Sequence, residues 1–252
     1  MKLAIAFAIL GLAMATLAAG MGARASGGRW LAFGLEAYLA ACFLALSAIY
    51  AARAAGVEVE RILARSRWSP LLRAVLLPYL ATGVIALLVA RGLGLGSPFR
   101  PVAPGLYAGR IPFPDERGRL REAGIDAVLN LCWEFPGPSG PAAGTGIATA
   151  RVPILDGVPP TDAQFREALE YVERWHAAWR RVLIHCAQGH GRTSTIVAAA
   201  LVRLGLAEGG DEALARVAAA RPGARPSPSQ KAALDRYLSG STPDARGRPR
   251  GS

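Results

Sequence analysis

Three long stretches with almost no charge fill the first ninety residues, and they constrain this chain more than any other feature. Leu3 to Met21 has no charged side chain, Trp30 to Ala52 has only Glu36, and Ala74 to Ala90 has none but holds Pro78 near its start. An α-helix rises about 1.5 Å per residue, so roughly 17 to 23 residues cross a hydrocarbon core about 30 Å thick. Residues 1–95 are therefore read as an all-α transmembrane region of two to three helices, over about 3–21, 30–52 and 74–90. Trp30, Tyr38, Tyr50 and Tyr79 lie toward the ends of these runs, where interfacial aromatics sit. Such runs are also met as buried core helices. For the first run a cleaved signal peptide stays open, since Lys2 precedes it and Ala23-Arg24-Ala25 follows it.

The chain has 252 residues, 52% of them hydrophobic, and a formal net charge of +11, a composition that excludes a disordered protein. Lys2 and Lys231 are the only lysines, and the arginines are spread along both halves. Without a cluster they read as compositional bias, and no nucleic-acid partner is expected. Cys42, Cys132 and Cys186 are too few for a disulfide framework or a four-ligand zinc site, so no metal is expected and at least one thiol is free.

From residue 96 the texture changes. Pro98, Pro101 and Pro104 mark a linker over 96–104, and apolar runs then alternate with helical patterns in the manner of an α/β domain over 105–239. The expected strands are Leu106 to Ile111, Ala127 to Cys132, Ala148 to Leu155 and Val182 to Ile184. Thr161-Asp162-Ala163-Gln164 is a capping box that opens a helix with apolar Phe165, Leu169, Val172, Trp175 and Trp179. Ser227-Pro228-Ser229-Gln230 repeats the device before a helix ending near Leu238, and residues 240–252 read as a disordered tail.

The chemistry sits in Arg181 to Ser194. A buried strand delivers Cys186 to a loop, Ala187-Gln188-Gly189-His190-Gly191, and a helix begins just beyond it. Backbone N–H groups of such a loop and the helix N-terminus converge on one point and bind an anion, phosphate being the natural occupant. The helix dipole and Arg192 both favour the thiolate of Cys186, the nucleophilic form. Arg192 can return across the loop to hold two phosphate oxygens, which lysine's point charge cannot do. An arginine six residues after a cysteine is a weak pattern in so arginine-rich a chain. His185, Gly189, Thr193 and the flanking elements are what make it specific.

The segment His185-Cys186-x-x-Gly189-x-x-Arg192-Thr193 resembles the signature of the cysteine-dependent protein tyrosine and dual-specificity phosphatase superfamily. Gly105-Leu106-Tyr107-Ala108-Gly109 and Ala127-Val128-Leu129-Asn130-Leu131 also resemble the first strands of the small dual-specificity domains, so the likeness runs from Pro104 to Leu238. It implies a central sheet flanked by helices, with no cofactor. It further implies a general acid upstream. Asp156, 30 positions before Cys186 and directly after an expected strand, is the first candidate, against a plain Asp-Gly turn former. Asp162 serves the helix start, and Glu134 is a more distant candidate. By the same resemblance Thr193 hydrogen-bonds the cysteine sulfur, His185 orients the loop, and residues 187–192 bind the substrate phosphate. His190 meets a second phosphate or is simply a solvent-exposed loop histidine. Cys132 is either a redox partner for Cys186 or a small buried core thiol.

The resemblance implies a membrane-anchored phosphomonoester hydrolase that works through a thiophosphate-enzyme intermediate on phosphotyrosine, phosphoserine or phosphothreonine. A phosphoinositide or phosphatidylglycerophosphate substrate is the alternative, and an inactive phosphate-binding adaptor is the alternative of another class. The expected partners are a phosphorylated protein or phospholipid and the lipid bilayer; the sequence says nothing of oligomeric state. Three spans put Lys2 and the arginines at 53, 61, 65, 67 and 73 opposite those at 24, 29, 91 and 100, which weakly places the C-terminal half outside the cytoplasm. Thiolate chemistry favours a reducing compartment and places the catalytic part on the cytoplasmic side.

Overall fold

The computed structural model describes residues 1–22, 29–65, 69–94, 97–135 and 146–241. The chain divides into two units, Met1–Val89 and Ala90–Ser252. The first contains α1 (Lys2–Gly22), α2 (Arg29–Ala54), α3 (Val59–Arg65), α4 (Ser69–Val75) and most of α5 (Leu77–Gly92). Small residues let α1 and α2 approach closely. Ala4, Ala18 and Ala40 are buried, and a Cβ on Gly11 would lie 2.9 Å from the Leu44 side chain. Phe7 stacks on Phe43, and the Ser47 hydroxyl donates to the Ala4 carbonyl at 3.0 Å.

Among the described residues two helices, over Lys2–Gly20 and Trp30–Ala54, are long and apolar enough to cross a membrane. The third expected span is a shorter apolar helix, because the chain turns at Leu76 between α4 and α5. The cause is Pro78, which has no N–H and whose ring clashes with the carbonyl four residues back. The 16 residues of α5 extend about 24 Å, short of a hydrocarbon core. The cleavage site considered at 23–25 lies outside the described residues, as does all but the start of the expected tail.

The second unit is an α/β fold around a five-stranded sheet, with strands β1 (Phe99–Ala103), β2 (Leu106–Arg110), β3 (Ile125–Cys132), β4 (Ala148–Ile154) and β5 (Arg181–Cys186). Their order is β1-β2-β5-β3-β4; β1 is antiparallel to β2 and the other pairings are parallel. The segment read as a proline linker is thus largely an edge strand. Prolines are tolerated there because an edge leaves one row of backbone groups without partners in the sheet. The helices are α6 (Arg117–Glu122), α7 (Asp162–Ala177), α8 (Gly191–Arg203), α9 (Gly210–Ala220) and α10 (Pro228–Ser241).

Both expected capping boxes form. Thr161 Oγ1 accepts from the Gln164 N–H at 3.1 Å while Gln164 Oε1 accepts from the Thr161 N–H at 2.9 Å, and Ser227 with Gln230 does the same. Helix α7 buries Phe165, Leu169, Val172 and Trp175. Trp179 instead falls past its end, almost fully exposed, with φ +58°. Every residue of α8 from Arg192 to Leu201 is buried, so this helix is the centre of the domain and not an amphipathic cover. The register pairs Arg110 with Cys186, Asn130 with His185 and Cys132 with Ile154. The carboxyl ends of four strands therefore meet at one edge, where open α/β sheets place their ligands.

Candidate active site

Cys186 ends the central strand β5, and α8 begins five residues later. In the loop between them the Gly189 N–H donates to Cys186 Sγ at 3.2 Å. Gly189 has φ +75°, and a Cβ there would lie 2.5 Å from the backbone of Gly109, so conformation and space both require glycine. The Ile111 N–H donates to the Ala187 carbonyl at 3.1 Å, fastening the loop to the end of β2. Ala187 is buried, whereas Gln188 and His190 are exposed. Burial pushes the His185 pKa down to about 4, so its imidazole is neutral at pH 7. Its Nδ1–H donates to the Cys186 carbonyl at 3.3 Å. Thr193 is also buried, and its hydroxyl donates to the Gly109 carbonyl at 3.3 Å.

Arg192 is 2% exposed, and its fork is fully engaged. Nη1 donates to Glu134 Oε2 at 2.8 Å and to the Ile154 carbonyl at 2.9 Å, while Nη2 donates to Glu134 Oε1 at 2.6 Å. Asp156 Oδ1 lies 3.0 Å from Nη2. Burial opposes the charge on Arg192, yet Glu134 outweighs it and holds the pKa well above that of a free arginine. The remaining donor, Nε, is buried with no partner among the described residues. A buried guanidinium N–H of this kind is a place for one more anionic oxygen. Asp156 stands on the turn after β4 with its side chain 62% exposed and open to water.

Glu134, only a distant candidate for the acid, is instead the bidentate partner of Arg192. The β3 end that carries it is braced by Asn130, whose Nδ2 donates to the Phe135 carbonyl at 2.8 Å and whose Oδ1 accepts from the Cys132 N–H at 2.8 Å. Arg151 adds bonds to the carbonyls of Cys132 and Trp133 at 2.9 and 2.6 Å. Cys132 is buried beside this cluster as a free thiol; burial, reinforced by Glu134, raises its pKa well above the ordinary value.

Two further residues were not legible in the sequence. Arg221, the C-cap of α9, is 5% exposed and donates to the carbonyls of Gly189, Gln188 and Ser97. Gln230 uses its Nε2 to hold the Val158 carbonyl at 3.3 Å, linking the Asp156 turn to α10. A Cβ on Gly191 would lie 2.5 Å from Gln230 Oε1, so that glycine makes room for the strut. The capping box gave Gln230 a local role but no hint of this reach. Nothing marked Arg221 among so many arginines. Among the described residues no group of three or more metal-ligating side chains is clustered.

A cysteine at a strand end, a buried arginine with one donor unpartnered among the described residues and an exposed carboxyl beside that arginine are thus brought to one edge of the sheet. Residues 104–206 match a family described as "Polymorphic toxin system, DSP-PTPase phosphatase". Dual specificity phosphatase 28 of Homo sapiens is 31% identical over 153 residues, covering 57% of this chain and 82% of that protein. Dual specificity protein phosphatase 12 of Mus musculus is 36% identical over 104 residues, which span 40% of this chain and only 30% of that protein. The solved structure of Tk-PTP in its active form superposes with a TM-score of 0.51 at 28% identity, covering 56% of this chain and 97% of that one. The chain therefore belongs to the dual-specificity phosphatases, a family of phosphoric monoester hydrolases.

Proposed function

We propose that the chain is a membrane-anchored, cysteine-dependent phosphatase that hydrolyses phosphotyrosine, phosphoserine and phosphothreonine in proteins. One observation carries the reading: Cys186 Sγ, the loop N–H groups and the orphaned Nε of Arg192 belong to one loop–helix junction, with Asp156 across from them. In the first step Cys186 Sγ attacks phosphorus, the bond from phosphorus to the ester oxygen breaks, and Asp156 gives that oxygen its proton. In the second, Asp156 takes a proton from water, the water oxygen attacks phosphorus and the P–S bond breaks, releasing inorganic phosphate and restoring the thiolate. Arg192 supplies charge to the equatorial oxygens throughout, held by Glu134 so that little reorganisation is needed. No metal or cofactor takes part. The two long apolar helices support the anchor, and the reduced thiol that the mechanism requires supports a catalytic unit on the cytoplasmic side.

The test is phosphate release by the full chain in detergent micelles, with chelator present. Substrates are phosphotyrosine and phosphoserine peptides, and phosphoinositide or phosphatidylglycerophosphate in vesicles. Peptide turnover above lipid turnover is expected. Turnover of the lipids alone would replace the protein substrate with a lipid one, and phosphate binding without turnover on any substrate would leave an adaptor.

A further inference from the structure

In a planar trans peptide the N–H and C=O point in opposite directions. A loop that turns its N–H groups toward an anion must therefore turn its carbonyls outward, where each needs a donor of its own. The Gln188–Gly189 peptide has its N–H 3.2 Å from Cys186 Sγ, and its carbonyl accepts from Arg221 Nη2 at 3.0 Å. The next carbonyl, that of Gly189, accepts from Arg221 Nε at 3.0 Å, which faces the His190 N–H the other way. The third arm, Nη1, donates to the Ser97 carbonyl at 2.7 Å and pins the guanidinium to a point outside the loop. Gly189, lacking a Cβ, gives these peptides freedom to rotate, so the loop needs an external brace.

We infer that Arg221 is a positioning residue of the phosphate cradle: its fork holds two consecutive loop peptides by their carbonyls and so keeps the Gly189 and His190 N–H groups aimed at the phosphoryl oxygens. The inference rests on the phosphatase reading above. Burial lowers the Arg221 pKa from its ordinary value, and the nearby Cys186 acts against that. The requirement is for arginine, because a lysine ammonium cannot reach three carbonyls in three directions from one plane.

The test compares the full chain with R221K and R221M by inhibition of para-nitrophenyl phosphate hydrolysis with orthovanadate, alongside thermal unfolding. In R221M, inhibition weakens about thirty-fold, roughly 2 kcal/mol at about 1.4 kcal/mol per tenfold. KM rises by more than kcat falls, and R221K lies between R221M and the parent. A residue serving stability alone lowers Tm and leaves vanadate inhibition of the folded protein unchanged; that result overturns the inference. Should R221M fail to fold, R221K decides by the same criterion. A parent protein that does not turn over the substrate overturns the phosphatase reading itself, whereas an active parent with unchanged variants overturns only the role of Arg221.

Discussion

Replacing Glu134 by glutamine leaves Arg192 in place and removes the charge that balances it. Both side chains are buried, at 1% exposure for the arginine and 6% for the glutamate, and two hydrogen bonds join them. In E134Q the guanidinium keeps the Ile154 carbonyl and the exposed Asp156 carboxylate, and neither replaces a buried counter-charge. Breaking a buried pair on one side costs about 3–5 kcal/mol. For a domain of this size 1 kcal/mol moves Tm by about 2–4 °C, so the expected fall is roughly 6–20 °C. Inorganic phosphate should then raise Tm more in E134Q than in the parent, because the anion pairs with the orphaned arginine. The double variant Glu134→Leu with Arg192→Met should be more stable than E134Q alone, since no buried charge is left unpaired. A Tm for E134Q within about 2 °C of the parent, with no added response to phosphate, would refute the view that this pair holds Arg192 in place.

The pH dependence of stability follows from His185. The unfolded histidine binds a proton at its ordinary value near 6.5, and the folded one resists until about 4. The unfolded state therefore binds more protons between those values, and stability falls as pH drops through that window, by about 3 kcal/mol in all. Urea titrations at pH 4.5 and 7.5 should show a smaller loss in H185N than in the parent, and equal losses would remove His185 as the cause. Hydrogen peroxide is expected to inactivate the enzyme through a Cys132–Cys186 disulfide that dithiothreitol reverses, the peroxide being reduced to water. C132S should lose that recovery; equal recovery in C132S would make Cys132 a core thiol only.

The sequence made the strand–loop–helix junction legible because three independent demands fall on neighbouring residues. A buried strand must end at Cys186, the loop must admit close backbone approach at Gly189, and α8 must be apolar enough for the core. The capping boxes at Thr161 and Ser227 were legible for the same reason, as each is closed within four residues. The edge strand β1 was not, because Pro98, Pro101 and Pro104 carry the same signal in a linker as on a sheet edge. The break at Pro78 was visible as a residue, but its effect on span length depended on where α4 ended. Glu134 stands 58 positions before the arginine it holds, and Arg221 stands 32 and 33 positions after the Gly189 and Gln188 carbonyls it holds. A single sequence has no periodicity that relates residues so far apart; only the parallel register of β3 and β5 and the docking of α9 bring them to the loop.

The central claim is that Cys186 becomes covalently phosphorylated in turnover. Rapid acid quenching of the full chain with a phosphotyrosine peptide, followed by digestion and mass spectrometry, tests it directly. A phosphate is expected on the peptide containing Cys186, and it disappears in C186S together with phosphate release. Turnover that persists in C186S, or a parent enzyme that releases phosphate while Cys186 stays unmodified at every quench time, would contradict it.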